Sequence, residues 1–547
     1  MNLERTPTTG GRRVLIVNLT RLGDLLQTSP TIATLRERDP DVHITLLADR
    51  NFADVCEGIP GLDRILRTDM DELGRKIFAG GPELVHAFDD AQALVEDLRG
   101  ERFDLALNFS SSRMTAVFMR LLRIPEVRGW TATPEGQRLI SHPWSRLFAT
   151  LCLNRHASDF NLVDHYRAIA GGGPGPRRLL FEPDQGARER AAALLAPAEG
   201  GGRLIAFQLG ASRANRIWPT ESFVRVGREL RADGCRILLV GGSKERELAR
   251  AVESGIGDGV VDLCGQTDIG TLAAVLGRAD MLVTGDTGPM HLASAMGTPI
   301  VGLFFGPALP FDTGPYGADH VLLHAAVGCA PCAHSVNCLD AFCRREITPE
   351  AVTGVVRARL AEDWVALDEI SSFPGAVRLY RTAFDDHGLF ECRRLGRANP
   401  TNDELLRRAY RAVWLTSLER EPLPDRGFPS AMDTTPFSSL AALAASGVET
   451  AGRLAAAVGT AAYSEIDGLG TALAELDAAI GRLGSVEPMV RPLTQMFRFE
   501  QESLEPGTVT ALARATGDLY RELACEAGAM TQLLGAETVE TRCSHAN

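Results

Sequence analysis

"DMLVTGDTGPMHLASAMG", residues 280–297, reads as a strand, a tight turn and a helix in quick succession. The apolar run to Val283 is short and ends at a turn, the mark of a buried strand. Pro289 suits the first position of a helix, where its missing N–H costs no hydrogen bond. Gly288 lets a backbone or a ligand approach closely. The helix then aims its free N–H groups and positive dipole end beyond the strand, a setting that favours an anion such as phosphate. There Thr287 and His291 can donate to phosphate oxygens, and Asp286 can orient these groups or hold a sugar hydroxyl. A capped helix with a core histidine would read the same way, so the stretch decides the local fold and leaves its chemistry open.

The same unit recurs on either side. "RRVLIVNLT" (12–20), "HITLLAD" (43–49) and "FDLALNFS" (103–110) are strand-like, with helical spacing between them. "AGGGPGPRR" (170–178) looks like a linker. The pattern restarts with "RLIAFQLG" (203–210), "RILLVGG" (236–242), the opening stretch and "PIVGLFFG" (299–306). Strands alternating with helices predict parallel sheets covered on both faces, with ligands at the carboxyl ends of the strands. Beyond about residue 365, "NDELLRRAYRAVWLTSLERE" (402–421) and the Ala/Leu/Glu-rich stretch 437–536 read as helices, divided by the breaker-rich 422–436. "RTAFDDHGLFECRR" (381–394) suggests a small strand-turn unit of no assigned role.

With 547 residues, the chain is too long for one ordinary core, and two or three domains are expected. Its 45% hydrophobic and 23% charged residues are those of a soluble globular protein. A net charge of -13 argues against a nucleic-acid partner. The polar start reads as no secretory signal, and no apolar run reaches membrane-spanning length, so a cytoplasmic protein is expected. The eleven cysteines then point to reduced thiols or a metal, not a disulfide scaffold.

Three further stretches carry candidate chemistry. In "NLTRLGDLLQTSP" (18–30), Asp24 follows a glycine turn after the first strand. It reads as a general base facing a cleft, or as a helix cap with Gln27 in a capping box. In "FQLGASRANRIWPTESF" (207–223), Arg213 and Arg216 are candidates to hold a diphosphate, or are two solvated loop arginines. In "LLVGGSKERELAR" (238–250), Glu245 or Glu247 could accept from ribose hydroxyls, or belong to an exposed helix start.

Together "RLGD", the basic R-x-W-P segment, "GGSKERE" and "GDTGPMHLASAMGTPIVGLFF" resemble glycosyltransferase family 9, the ADP-heptose:lipopolysaccharide heptosyltransferases, over roughly residues 12–360. The resemblance implies an α/β fold of GT-B type, two Rossmann-like doubly wound domains facing a cleft. The expected domains are an acceptor-side domain at 1–172, a nucleotide-sugar donor domain at 173–365 and a helical accessory domain at 366–547. It implies inverting, metal-independent transfer of heptose from ADP-heptose to an acceptor hydroxyl, most often of the lipopolysaccharide inner core. Asp24 matches the family's proposed base. Asp286, Thr287, Gly288 and His291 match its donor loop, Arg216 falls where a phosphate-contacting lysine is frequent, and Glu245 lies near a nucleotide-contacting acid. A protein acceptor and a catalytically silent sugar-nucleotide-binding or scaffolding module are the alternatives. Peripheral contact with the inner membrane and homo-oligomerisation through the added helices are further expectations.

"GCAPCAHSVNCLDAFCRRE" (328–346) gathers Cys329, Cys332, Cys338 and Cys343. A Cys-x-x-Cys pair with two later thiolates suits a tetrahedral site, so structural zinc or iron, or an iron–sulfur cluster, is expected, with His334 as a substitute ligand. Reduced structural cysteines are the plainer reading.

Overall fold

The computed structural model describes residues 11–173, 175–196, 201–333, 336, 338–370, 376–428, 430, 432–505 and 507–535. The chain forms two compact units. One runs to Arg128 and resumes over Phe160–Ala398; the other joins Gly129–Asp159 to the chain from Asn399.

The first unit holds two parallel-dominated sheets, as the alternation of apolar runs and helices predicts. In the first half, β1 (Arg13–Asn18), β2 (His43–Asp49), β3 (Arg64–Thr68) and β4 (Leu105–Asn108) lie in the order β3-β2-β1-β4, all parallel. β1 and β2 are nearly continuous apolar runs because helices cover both faces of the sheet. β5 (Glu126–Ala132) crosses the division between the units and pairs with β6 (Arg138–Ile140) in an antiparallel hairpin.

The second half holds β7 (Leu204–Gln208), β8 (Arg236–Val240), β9 (Val260–Asp262), β10 (Met281–Gly285), β11 (Ile300–Phe304), β12 (Val321–Ala325), β13 (Val377–Phe384) and β14 (Phe390–Arg394). Their order is β14-β13-β12-β11-β10-β7-β8-β9, parallel except where β13 meets β12 and β14. The strand reversal between β10 and β7 is a topological switch point, where α/β sheets bind ligands. The core is the Val, Ile, Leu and Phe of these strands with Phe223, Val226 and Val352 from the covering helices.

Two expected boundaries move. The stretch from 366 to 398 belongs with the second sheet, because residues 377–394 form the β13–β14 hairpin at its edge. Its turn is set by Asp385, whose Oδ1 accepts from the His387 and Leu389 N–H groups at 3.0 and 2.9 Å. Residues 129–159, expected in the first domain, cluster with the helices beyond 399. The Gly-rich linker is held in place: Gly171, Gly172 and Gly173 take φ of 113°, 65° and 89°, and Arg167 donates to the Gly173 carbonyl at 2.6 Å.

The second unit is helical, as the spacing predicts, built from Pro143–Leu153, Asn402–Glu419, Thr435–Ala457, Tyr463–Val486, Arg491–Glu502 and Val509–Leu534. Thr435–Ala457 and Val509–Leu534 approach closely: a Cβ on Gly447 would stand 2.3 Å from the Tyr520 ring. Partly buried polar pairs tie the helices, including Arg146–Glu500 at 2.7 Å and Ser417 Oγ donating to Glu526 at 2.6 Å. Among the described residues no helix is long and apolar enough to cross a membrane.

Candidate functional site

β10 ends at Gly285, and the next helix runs Gly288–Met296 with Thr287 as its N-cap and Pro289 in its first turn. Thr287 is extended, with φ of -146°, and its side chain makes no capping bond. Pro289 has no N–H and the Met290 N–H donates to the Thr287 carbonyl at 3.0 Å, so the Gly288 N–H is the one left for another partner in these first three positions. Gly297, at φ of 77°, stops the helix in the left-handed conformation that favours glycine.

Arg216 ends a single 3₁₀ turn after β7. Its Nη2 donates to the Asp286 carbonyl at 2.8 Å and to the Asp286 carboxylate at 3.0 Å. The pair is largely shielded, with 15% and 14% of the two side chains exposed. The R-x-W-P segment is anchored behind it. Trp218 Nε1 donates to the Ile347 carbonyl at 2.9 Å, and Arg344 Nη1 donates to the Ala214 and Ile217 carbonyls at 3.1 and 3.0 Å. Arg213, the other candidate, is exposed.

The residue types missed one side chain. Gln208, the last residue of β7, accepts from Thr284 and Thr287 through Oε1, both at 3.2 Å, and donates to the Gly210 carbonyl at 2.8 Å. A polar residue closing a strand gives no signal of this, because its partners come from another strand of the sheet.

Asp24 lies in the helix Leu22–Leu26, whose N-cap is Arg21. Gln27 falls at the helix end and donates to the Gly23 carbonyl, so the capping box with Asp24 does not form. Asn18, ending β1, donates to the Asp24 carbonyl at 3.2 Å. Burial pushes the Asp24 carboxyl up to about 6; the Asp286 charge adds to the rise, and hydrogen bonds from the Arg21 backbone and Thr20 oppose it.

The Asp24 helix and the His291 helix are in contact, so the two halves of this unit meet at the site. A Cβ on Gly23 would stand 2.8 Å from His291 Cδ2, and one on Gly288 would stand 2.9 Å from Leu22 Cδ2. Both glycines are there for close approach. His291 is only 4% exposed and its Nδ1 has no protein partner. Burial lowers its pKa below the usual imidazole value against the pull of Asp286, which keeps the ring neutral.

Glu245 lies over the ends of β7 and β8. A Cβ on Gly210 would stand 2.5 Å from its Oε1, and its Oε2 accepts from the Gly242 N–H at 2.8 Å. Glu247 is exposed on the following helix. Of the two, Glu245 is the one at the strand ends.

The four cysteines differ in exposure, though burial and the nearby Cys329 and Cys338 charges together push the Cys343 thiol up. Cys343 is drawn into the core at 6% exposure, Cys332 is half-buried, and Cys329 and Cys338 are exposed. Among the described residues no group of three or more His, Cys, Asp or Glu side chains comes together to hold a metal. His334 lies outside the described residues.

The site thus sets a carboxylate of raised pKa opposite a helix amino end, with a shielded arginine beside it and a second carboxylate two strands away. Residues 91–342 match the sequence model of glycosyltransferase family 9 (heptosyltransferase). The chain is 25% identical over 322 residues to lipopolysaccharide heptosyltransferase 1 of Pseudomonas aeruginosa, covering 58% of this chain and 86% of that one. It is 24% identical over 318 residues to lipopolysaccharide heptosyltransferase 1 of Escherichia coli K12, covering 57% and 93%. A solved family 9 glycosyl transferase from Veillonella parvula shares the fold, with a TM-score of 0.52, 20% identity, and 65% and 100% of the two chains covered.

Proposed function

Because the chain belongs, through residues 91–342, to glycosyltransferase family 9 and is a glycosyltransferase, we propose that it transfers heptose from ADP-heptose to an acceptor hydroxyl of the lipopolysaccharide inner core, with inversion at the anomeric carbon. The names of its relatives support the sugar and the acceptor. The single observation that carries the mechanism is the Asp24 carboxyl, pushed up to about 6 where the two halves meet.

In this reading Asp24 takes the proton of the acceptor hydroxyl as that oxygen attacks the anomeric carbon. A general base works best with a pKa near the operating pH, and a carboxylate at about 6 is largely ionised at neutrality. The bond from the anomeric carbon to the diphosphate breaks on the opposite face, and ADP leaves with the bonding pair. The Gly288 N–H at the amino end of the His291 helix and the Arg216 guanidinium meet that charge. Arg216 is already paired with Asp286, so its charge is held in place before a donor arrives, which lowers the cost of reorganisation in the transition state. Neutral His291 lines the sugar side, and Glu245 accepts from the nucleoside at the far strand ends. No step is assigned to a metal ion. The reaction belongs at the cytoplasmic face of the inner membrane, where a lipid-borne acceptor is met by peripheral contact.

Calorimetric titration with ADP-heptose and UDP-glucose tests the donor, and Asp24→Asn tests the base. ADP-heptose alone should bind, and Asp24→Asn should keep that binding while turnover collapses. Preference for the uridine nucleotide would discard the donor, and turnover indifferent to Asp24→Asn would discard the base.

A further inference from the structure

The hydrogen bonds of Gln208 fix the polarity of the Thr287 hydroxyl. Gln208 is buried, with 6% of its surface exposed, and its Nε2 donates to the Gly210 carbonyl at 2.8 Å. That bond decides which way the amide faces. Turned over, Oε1 would oppose the Gly210 carbonyl, two acceptors with no hydrogen between them. Oε1 therefore faces β10, 3.2 Å from both Thr284 Oγ1 and Thr287 Oγ1. A carbonyl oxygen has two lone pairs and can accept from both hydroxyls.

Each hydroxyl has one hydrogen and two lone pairs. Were the Thr287 hydrogen turned into the cleft, its lone pairs would face Gln208 Oε1 at hydrogen-bond distance, acceptor against acceptor. Thr284 does not relieve this. Its own hydrogen is claimed by Gln208 or by the Gly285 carbonyl at 2.9 Å, both nearer than Thr287 Oγ1 at 3.3 Å. The Thr287 hydrogen thus points inward, to Gln208 Oε1 at 3.2 Å with the Gly285 carbonyl as a longer second acceptor at 3.5 Å, and lone pairs are what it offers the cleft.

We propose that Gln208 is a specificity-determining residue: it makes the Thr287 hydroxyl an acceptor, which takes a hydrogen bond from a hydroxyl of the transferred sugar instead of giving one to phosphate, as the residue type suggests. The phosphate is left to the Gly288 N–H at the start of the His291 helix and to Arg216. The transferred sugar is the fitting source because Thr287 follows Asp286, whose charge is felt at Asp24, whereas Glu245 stands over the β7 and β8 ends on the nucleoside side. This inference rests on the nucleotide-sugar donor proposed above.

The test is calorimetric titration of wild type, Gln208→Leu, Thr287→Val and Thr287→Ser with ADP and with ADP-heptose. The readout is the ratio of the ADP Kd to the ADP-heptose Kd, the tightening the sugar confers. Gln208→Leu and Thr287→Val should each lower that ratio roughly three- to tenfold, the scale of one neutral hydrogen bond, with the ADP Kd within about twofold of wild type. Thr287→Ser should keep the ratio. Were Gln208→Leu to misfold, Thr287→Val, isosteric and confined to the cleft, carries the test alone. An unchanged ratio, or equal weakening of ADP and ADP-heptose, overturns the inference while leaving the donor standing. A wild type that binds neither nucleotide overturns the donor reading and this inference with it.

Discussion

Gly23→Ala and Gly288→Ala form a matched pair of perturbations at the contact between the two halves of the site. The added Cβ of Gly23→Ala would lie 2.8 Å from His291 Cδ2 and 3.4 Å from His291 Nε2. Carbon atoms rest at about 3.5–4.0 Å, so the nearest contact is short by roughly 0.7 Å or more. The obstacle is a ring that is 4% exposed and cannot swing into solvent. Overpacking of this kind costs about 1–3 kcal/mol, offset by the ~0.5–1 kcal/mol that alanine gains over glycine in a helix. The net expectation is about 1–2 kcal/mol of destabilisation. The Cβ of Gly288→Ala would lie 2.9 Å from Leu22 Cδ2, the end of a flexible side chain, with the next contacts at 3.6 Å. A rotated methyl relieves it, and the stability change should stay within about 0.5 kcal/mol. Function should divide as well. Gly23→Ala moves the neighbouring Asp24 by a good fraction of an ångström, and misplacement by about 1 Å can cost ~10²-fold, so kcat should fall about 10- to 100-fold. Gly288→Ala narrows the approach to the helix amino end and should act on the donor KM. Thermal melts and steady-state kinetics read both. Gly288→Ala as destabilising as Gly23→Ala, or Gly23→Ala silent in both assays, would refute the close approach as the reason for these glycines.

Two further outcomes depend on pH. If Asp24 is the base as proposed, it must be ionised, so kcat/KM should rise with pH and reach half its plateau near the Asp24 value of about 6; Asp286→Asn removes a like charge and should move that limb to lower pH, and a limb that stays put or moves up would contradict the coupling. In the helical unit, burial pushes Glu526 up to about 8, with the Glu522 and Glu500 charges adding and the Ser417 hydrogen bond opposing. A folded value above the ordinary 4.5 means that the stability tied to this carboxyl is complete at low pH and is lost as pH rises through about 8. Glu526→Gln should therefore melt higher than wild type near pH 9, with the gap closing toward about pH 5; a gap that is constant with pH would show that the carboxyl stays ionised throughout.

Part of the site was legible because its signals are local. The glycine turn, Pro289 and the apolar run before them fixed Asp286, Thr287, Gly288 and His291 at a helix amino end, where the structure has them. The R-x-W-P segment pointed to Arg216 for its charge, and its exposed neighbour Arg213 shows how little charge alone discriminates. Asp24 and Gln27 satisfied the spacing of a capping box, yet the helix begins at Leu22, and its short length leaves Asp24 in the first turn and Gln27 at the end. Four cysteines within a short segment satisfied a ligand pattern; packing buries Cys343 within reach of the Cys329 and Cys338 charges, while those two side chains stay at the surface. Gln208 went unread because its partners, Thr284 and Thr287, arrive from β10.

The sequence by itself determined the alternation of strands and helices, the two sheets and the helical region after them, since periodicity and turn residues act over a few positions. Tertiary structure decided what those positions do. Arg216 and Asp286 are 70 residues apart and become a shielded pair only when the ends of β7 and β10 lie side by side. Asp24 acquires its raised pKa from burial and from the Asp286 charge, neither of which exists until the two halves meet. Burial and charge coupling depend on distance in space, which chain order does not encode locally.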